Sequence, residues 1–172
     1  MIQSFDTQLQ VSVRALREIV APALAAADKH VVEQLHLVVA ALEFMRQRLP
    51  AARRYYRDEL ESYIALSRDS IALVRKQQET LSAEILESIE IGERVLERAD
   101  AEIEDYQLVT RRLRKGLGGL LHHSIGHPAE AALQALVLQK SETALLAARV
   151  WCLPLGFELD PEALPRPDWS FD

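Results

Sequence analysis

His122, His123 and His127 place three imidazoles within six residues, and Glu130 follows close behind. Imidazole nitrogens and carboxylates are metal ligands, and residues four apart share a helical face. His123 and His127 would share a metal only if one helix ran through both. Gly126 and Pro128 oppose that, because glycine at a helix end and proline beyond it stop a helix. Histidine near a helix C-terminus is also favoured by the helix dipole alone. Helix-end charge and capping is therefore the preferred role of the trio, with a metal- or small-ligand-binding enzyme or sensor as an alternative. Glu33 and His36 form one Glu-x-x-His motif, whereas di-iron bundles use two such motifs and two further glutamates. At 100° per residue Glu33 and His36 lie opposite the stripe of Leu35, Val38 and Leu42, so this pair is expected on a solvated face.

The cations carry a second possible chemistry. Arg46, Arg48, Arg53, Arg54 and Arg57 form one group, and Arg111, Arg112, Arg114 and Lys115 form another with no acid inside it. A helical hairpin turning near residue 80 brings the two groups level. That end would suit an anion, an acidic partner surface or phosphate groups. Local pairing with Asp58, Glu59 and Glu61 is the competing and preferred expectation. A net charge of −6 removes bulk attraction to nucleic acid, which is not an expected partner. Glu84, Glu87, Glu90, Glu93 and Glu97 make a carboxylate ladder expected to face water. No nucleophile elbow, phosphate loop, zinc spacing or paired acid/base signature occurs, so no catalytic residue and no cofactor are assigned. The single cysteine, Cys152, is read as structural and suits a reducing cytoplasm. The N-terminal residues lack the basic flank and apolar core of a signal peptide, and no run is long enough for a membrane span.

The element that would position these groups is the stretch from Ser82 to Leu121. Ile85, Ile89, Gly92, Leu96, Ala99, Ile103, Tyr106, Thr110, Leu113, Leu117 and Leu120 recur at alternating steps of four and three. Such a repeat predicts one long helix, about 60 Å in length, with a continuous seam. Gly92, Tyr106 and Thr110 interrupt the seam and make a candidate small-ligand pocket. Close packing at the glycine and local hydrogen bonds for the hydroxyls are preferred there.

Around this helix the sequence predicts shorter ones. The first starts at a Ser4 or Asp6 cap and ends or kinks at Pro22. Asp28 caps a second, which runs to Leu49 with a stripe of Val31, Leu35, Val38, Leu42, Met45 and Leu49 and is expected to be well buried. A third follows Pro50 and carries Leu60, Ile64, Ile71 and Val74. Residues 77–82 either turn, with Thr80 or Ser82 as cap, or run straight through; a turn is preferred. An alanine-rich helix follows Pro128 and ends near Trp151. The fold class is therefore all-α: an antiparallel four- to five-helix bundle spanning 1–151, built on the long helix at about 82–121. An extended, proline-rich tail at 152–172 is expected to lie back on it. Part of the long seam lacks an intrachain cover, which is a reason to dimerise. The expected role is a non-enzymatic cytoplasmic interaction or accessory protein that homodimerises through the long helix. Anion or nucleic-acid binding through the basic end is the remaining alternative.

Overall fold

A computed structural model describes residues 4–74 and 79–165. It is all-α, with no strand among the described residues. Six principal helices follow one another: α1 (Phe5–Ala15), α2 (Lys29–Arg48), α3 (Ala52–Val74), α4 (Glu79–Glu97), α5 (Ile103–His123) and α6 (Glu130–Trp151). The described residues divide into two units, 4–51 with 149–165, and 52–148. This division differs from the expected bundle over 1–151, because the first two helices have a core of their own and group with the chain after Ala148.

In the smaller unit, Ser4 caps α1 by accepting from the Thr7 N–H, and Asp28 caps α2 by accepting from the His30 N–H. α1 continues through a π-helical turn, Leu16–Val20, into Ala21–Ala23. Pro22 cannot donate to the carbonyl four residues back, and a widened turn just before it absorbs that loss. Val13, Leu35 and Val39 form the buried core, with Leu16, Val20, Ala21, Leu24 and Leu42 around them. The rest of the α2 stripe departs from its expected burial. Val31, Val38, Met45 and Leu49 are 45%, 49%, 53% and 51% exposed. Within this unit α1 with its π-helical turn, the last residues of α6 and a short 3-10 turn at Leu153–Leu155 lie against α2, too little to cover the whole of its stripe. Arg48 donates to the Trp151 and Val150 carbonyls, and Phe44 meets the Trp151 ring edge-on. Burial holds the Arg48 guanidinium below its usual pKa, with Cys152 acting weakly the other way. Of the expected tail, residues 166–172, with Trp169 and Phe171, lie outside the described residues.

In the larger unit the chain reverses between Val74 and Glu79. Gly92 of α4 lies against Ile64 of α3, and Arg68 pairs with Glu93. The connection itself, 75–78, lies outside the described residues. Thr80 and Ser82 are not caps. Both lie inside α4, and Ser82 is buried.

The predicted single helix over 82–121 is two helices. α4 stops at Glu97 and α5 starts at Ile103. A reciprocal capping box joins Glu102 and Asp105 at the start of α5. The carbonyls left open at the break are met by Arg53, which donates to Ala101 O at 3.2 Å and Ala99 O at 2.6 Å. The break folds the seam onto itself. Val109 sits at Gly92, while Gly116 lies against Ile85 and Gly119 against Leu81, so α4 and α5 are antiparallel. Ile85, Ile89, Tyr106, Leu113, Leu117 and Leu120 are thereby buried with Leu60, Ile64, Ile71 and Val74 of α3. A methyl at Gly116 would stand 2.6 Å from Ile85 Cγ1, so the helices approach this closely only with glycine there.

Candidate functional site

Folding the seam inward decides which residues are left to meet another molecule. On α4, Glu84, Glu87, Ile91 and Arg94 recur at steps of three and four, and Arg98 follows just past its end. On α5, Asp105, Leu108, Arg112 and Lys115 do the same. The pairing of Val109 with Gly92 and Gly116 with Ile85 sets their levels. Glu84 and Glu87 stand level with Lys115 and Arg112, Ile91 with Leu108, and Arg98 with Asp105. The last two form an ion pair at 3.4 Å, and Arg98 also holds Asp100. Hydrogen bonding and charge from Arg98 lower the Asp100 pKa.

At the other end of this face the charges are unspent. Glu84, Glu87, Glu90, Arg111, Arg112 and Lys115 are all exposed and have no ionic partner among the described residues. Leu108 between the two ends is 47% exposed. Gly118 has open space where a side chain would stand. The face is thus a shallow polar surface, acidic on one helix and basic on its neighbour, with an aliphatic centre.

The residues singled out by sequence are placed differently from one another. Of the nine cations, Arg53 and Arg48 serve as helix-end donors, Arg57 pairs with Glu61 at 3.1 Å, and Arg46 pairs with Asp6 at 3.5 Å. Arg54 also has an interaction of its own. Arg114 reaches across to Glu59 and stacks on the Tyr63 ring, 4.7 Å from its centroid. Arg114 lies level with Glu59 and Tyr63, whereas Arg53 lies at the break before α5, so the group at 111–115 stands further along α3 than Arg53. The break at 98–102 causes this, because it turns α5 back along α4 and leaves it parallel to α3.

His123 and His127 are held locally, and the exposed His122 meets the His123 ring edge-on. His123 Nδ1 lies 2.9 Å from Gly119 O, and His127 Nδ1 accepts from the Ala129 N–H at 3.2 Å. Glu130 accepts from the Gly126 N–H at 2.7 Å, where Gly126 has φ +76°. Among the described residues no three His, Cys, Asp or Glu side chains converge in a way that could hold a metal. Glu33 contacts Lys29 and His30, and both Glu33 and His36 are exposed. The gap expected at Gly92 is filled, since a methyl there would stand 2.8 Å from Ile64 Cδ1 and 3.2 Å from Val109 Cγ1. Tyr106 and Thr110 are buried in the same packing, so these three residues open no pocket at Gly92.

Sequence reasoning missed Leu108 as the centre of an exposed face, because a single long helix gives no reason to set Glu87 beside Arg112. No helix among the described residues is long and apolar enough to cross a membrane. No family model matches the chain, and no curated protein or solved structure matches it.

Proposed function

We propose that the protein is a non-enzymatic interaction or accessory protein that pairs with a second copy of itself through the outer face of α4 and α5. The observation that supports this reading is the unpaired, oppositely charged end of that face: Glu84 and Glu87 on α4, and Arg112 and Lys115 on α5. A two-fold axis running along the hairpin lays α4 of one copy over α5 of the other at equal height. Each acidic pair then meets a basic pair, and Ile91 and Leu108 of both copies meet at the centre. Such a contact is isologous, so the same complementarity is used twice. The lone thiol of Cys152 fits a reducing compartment as the place of action.

Charge exchange tests the reading. Arg112→Glu with Lys115→Glu should leave a monomer in sedimentation velocity, as should Glu84→Lys with Glu87→Lys. An equimolar mixture of the two double variants should form a heterodimer, since like charge facing like costs association and the mixture restores opposites. Dimers in both variants, or no recovery on mixing, would contradict the interface.

A further inference from the structure

α6 is apolar on every side. Ala144, Leu145, Leu146, Ala147 and Ala148 are consecutive, and at 100° per residue five such positions reach all around a helix. A helix of this kind belongs inside a protein. Yet of its 22 residues only Leu133 and Val150 are buried, and Leu138 and Leu145 are 74% and 61% exposed. Along its middle, two adjoining clefts of about 300 and 240 Å³ open beside α3, the larger reaching Arg114 of α5. Both lie within residues 52–148, and they share Ser62, Tyr63, Ser141, Thr143 and Ala144. From Tyr55 to Leu66 this groove follows α3 for about 16 Å. A mostly apolar lining with a few polar groups is the usual composition of small-molecule sites.

The charges of the groove are already spent. Glu59 pairs with Arg114, which also lies over the Tyr63 ring, and Lys140 pairs with Asp69 at 3.5 Å. Asp58 has an interaction of its own. A charged molecule would have to displace one of these partners or bring in a charge that has none, and both cost free energy. What is left to meet a ligand is apolar surface and two hydroxyls. The surface is Ala65 and Leu66 of α3 with Ala144, Ala147 and Ala148 of α6. Ser62 Oγ already donates to the Asp58 backbone carbonyl at 2.9 Å, whereas Ser141 and Thr143 make no hydrogen bond through their side chains among the described residues.

We infer that this groove binds a neutral, slim aliphatic molecule with one hydrogen-bonding end, of the class of a medium-chain alcohol. The alanine face of α6 and the Ala65–Leu66 side of α3 cover its chain, and the Ser141 and Thr143 hydroxyls hold its polar end. The length of the groove suits a linear chain better than a compact ring, and filling it gives α6 the burial that its composition calls for. None of Glu84, Glu87, Arg112 and Lys115 lines it, so the site is separate from the self-association face.

Backbone amide shifts of the full, isotope-labelled chain on titration with octanol, octanoate and octylammonium test the assignment. Octanol should give saturable shifts centred on residues 55–66 and 140–148. Each ion should bind about tenfold more weakly or not at all. Ser141→Ala with Thr143→Val should weaken octanol several-fold. Ala144 lines both clefts, so Ala144→Phe should abolish binding. Ser141→Leu, at an exposed position, blocks the same groove and gives the same answer should Ala144→Phe disturb the fold. No saturation by octanol up to about 1 mM, equal affinity for either ion, or binding that survives Ser141→Leu would overturn the proposal.

Discussion

The two units solve the same problem to different degrees. Residues 52–148 bury a run of large side chains from Leu60 to Leu133 in one cluster, and several of them are wholly inaccessible. The unit of 4–51 and 149–165 gathers only Val13, Leu35 and Val39 into a buried cluster, with Ala51, Val150 and Leu164 buried apart from it, and leaves four of the six α2 stripe residues in water. Both began from comparable heptad-like sequence patterns. The difference is a partner: the α4 seam finds two full helices, α5 and α3, within its own chain segment, whereas α2 finds α1 and only the short stretch from Val150 to Leu155. Apolar periodicity therefore identifies a face that wants covering, and topology decides whether the chain covers it.

The largest contrast to break is that of core depth. Leu113→Ala removes a wholly buried side chain and should cost about 2–5 kcal/mol, read as a shift in urea unfolding. Leu35→Ala lies at the edge of a thin core and should cost about 1–2 kcal/mol. Equal costs would mean that the small unit is better packed than its exposure indicates. Next come the glycines. Gly116→Ala would press a methyl into the middle of the Ile85 side chain and should destabilise by about 1–3 kcal/mol. Gly118→Ala meets open space and should stabilise by up to about 1 kcal/mol through helix propensity. Thermal midpoints that move the same way for both would refute the account of the seam.

Smaller still is the effect of the buried hydroxyls. Ser67 Oγ, Ser70 Oγ, Ser82 Oγ and Thr110 Oγ1 have no hydrogen-bond partner among the described residues. Removing an unsatisfied buried hydroxyl loses no bond. Ser67→Ala should thus be neutral or stabilising by up to about 1 kcal/mol, and a clear loss in urea denaturation would reveal a bond that the packing does not show. The smallest effect concerns the thin unit, where Arg149 holds the Glu158 carboxylate with two hydrogen bonds of 2.9 and 2.7 Å. Hydrogen bonding from Arg149 lowers the Glu158 pKa. A carboxyl lowered in the folded state contributes stability above its usual value and loses it as pH falls through the lowered one. Wild type should therefore lose a small increment in acid that Glu158→Gln does not have. Identical pH profiles would mean that the pair contributes nothing.

Much of the fold was legible. Ser4 and Asp28 were readable as caps because their side chains do what short polar residues do at helix starts, and Pro22, Pro50 and Gly126 marked where the chain must change course. The break at 98–102 was not readable. It contains neither glycine nor proline, and its cap is Glu102, a poor N-cap type by intrinsic preference. What stabilises it is Arg53, 45 or more residues away in sequence, which no local pattern reports. The candidate surface followed the same division. Exposure of the glutamates could be read from the helical wheel, but their register against Arg112 and Lys115 depended on the break. The local roles of His123 and His127 agree with the helix-end reading that Gly126 and Pro128 suggested.

Sedimentation velocity of the wild-type chain at low and high salt tests the central claim directly, because the two exposed surfaces differ in kind. If α4 and α5 have hidden their apolar seam and offer charge, a dimer at about 50 mM salt should dissociate towards monomer near 1 M, where screening reaches about 3 Å. A dimer that is indifferent to salt or strengthened by it would place the contact on the apolar stripe of α2, and a monomer throughout would remove the self-association altogether.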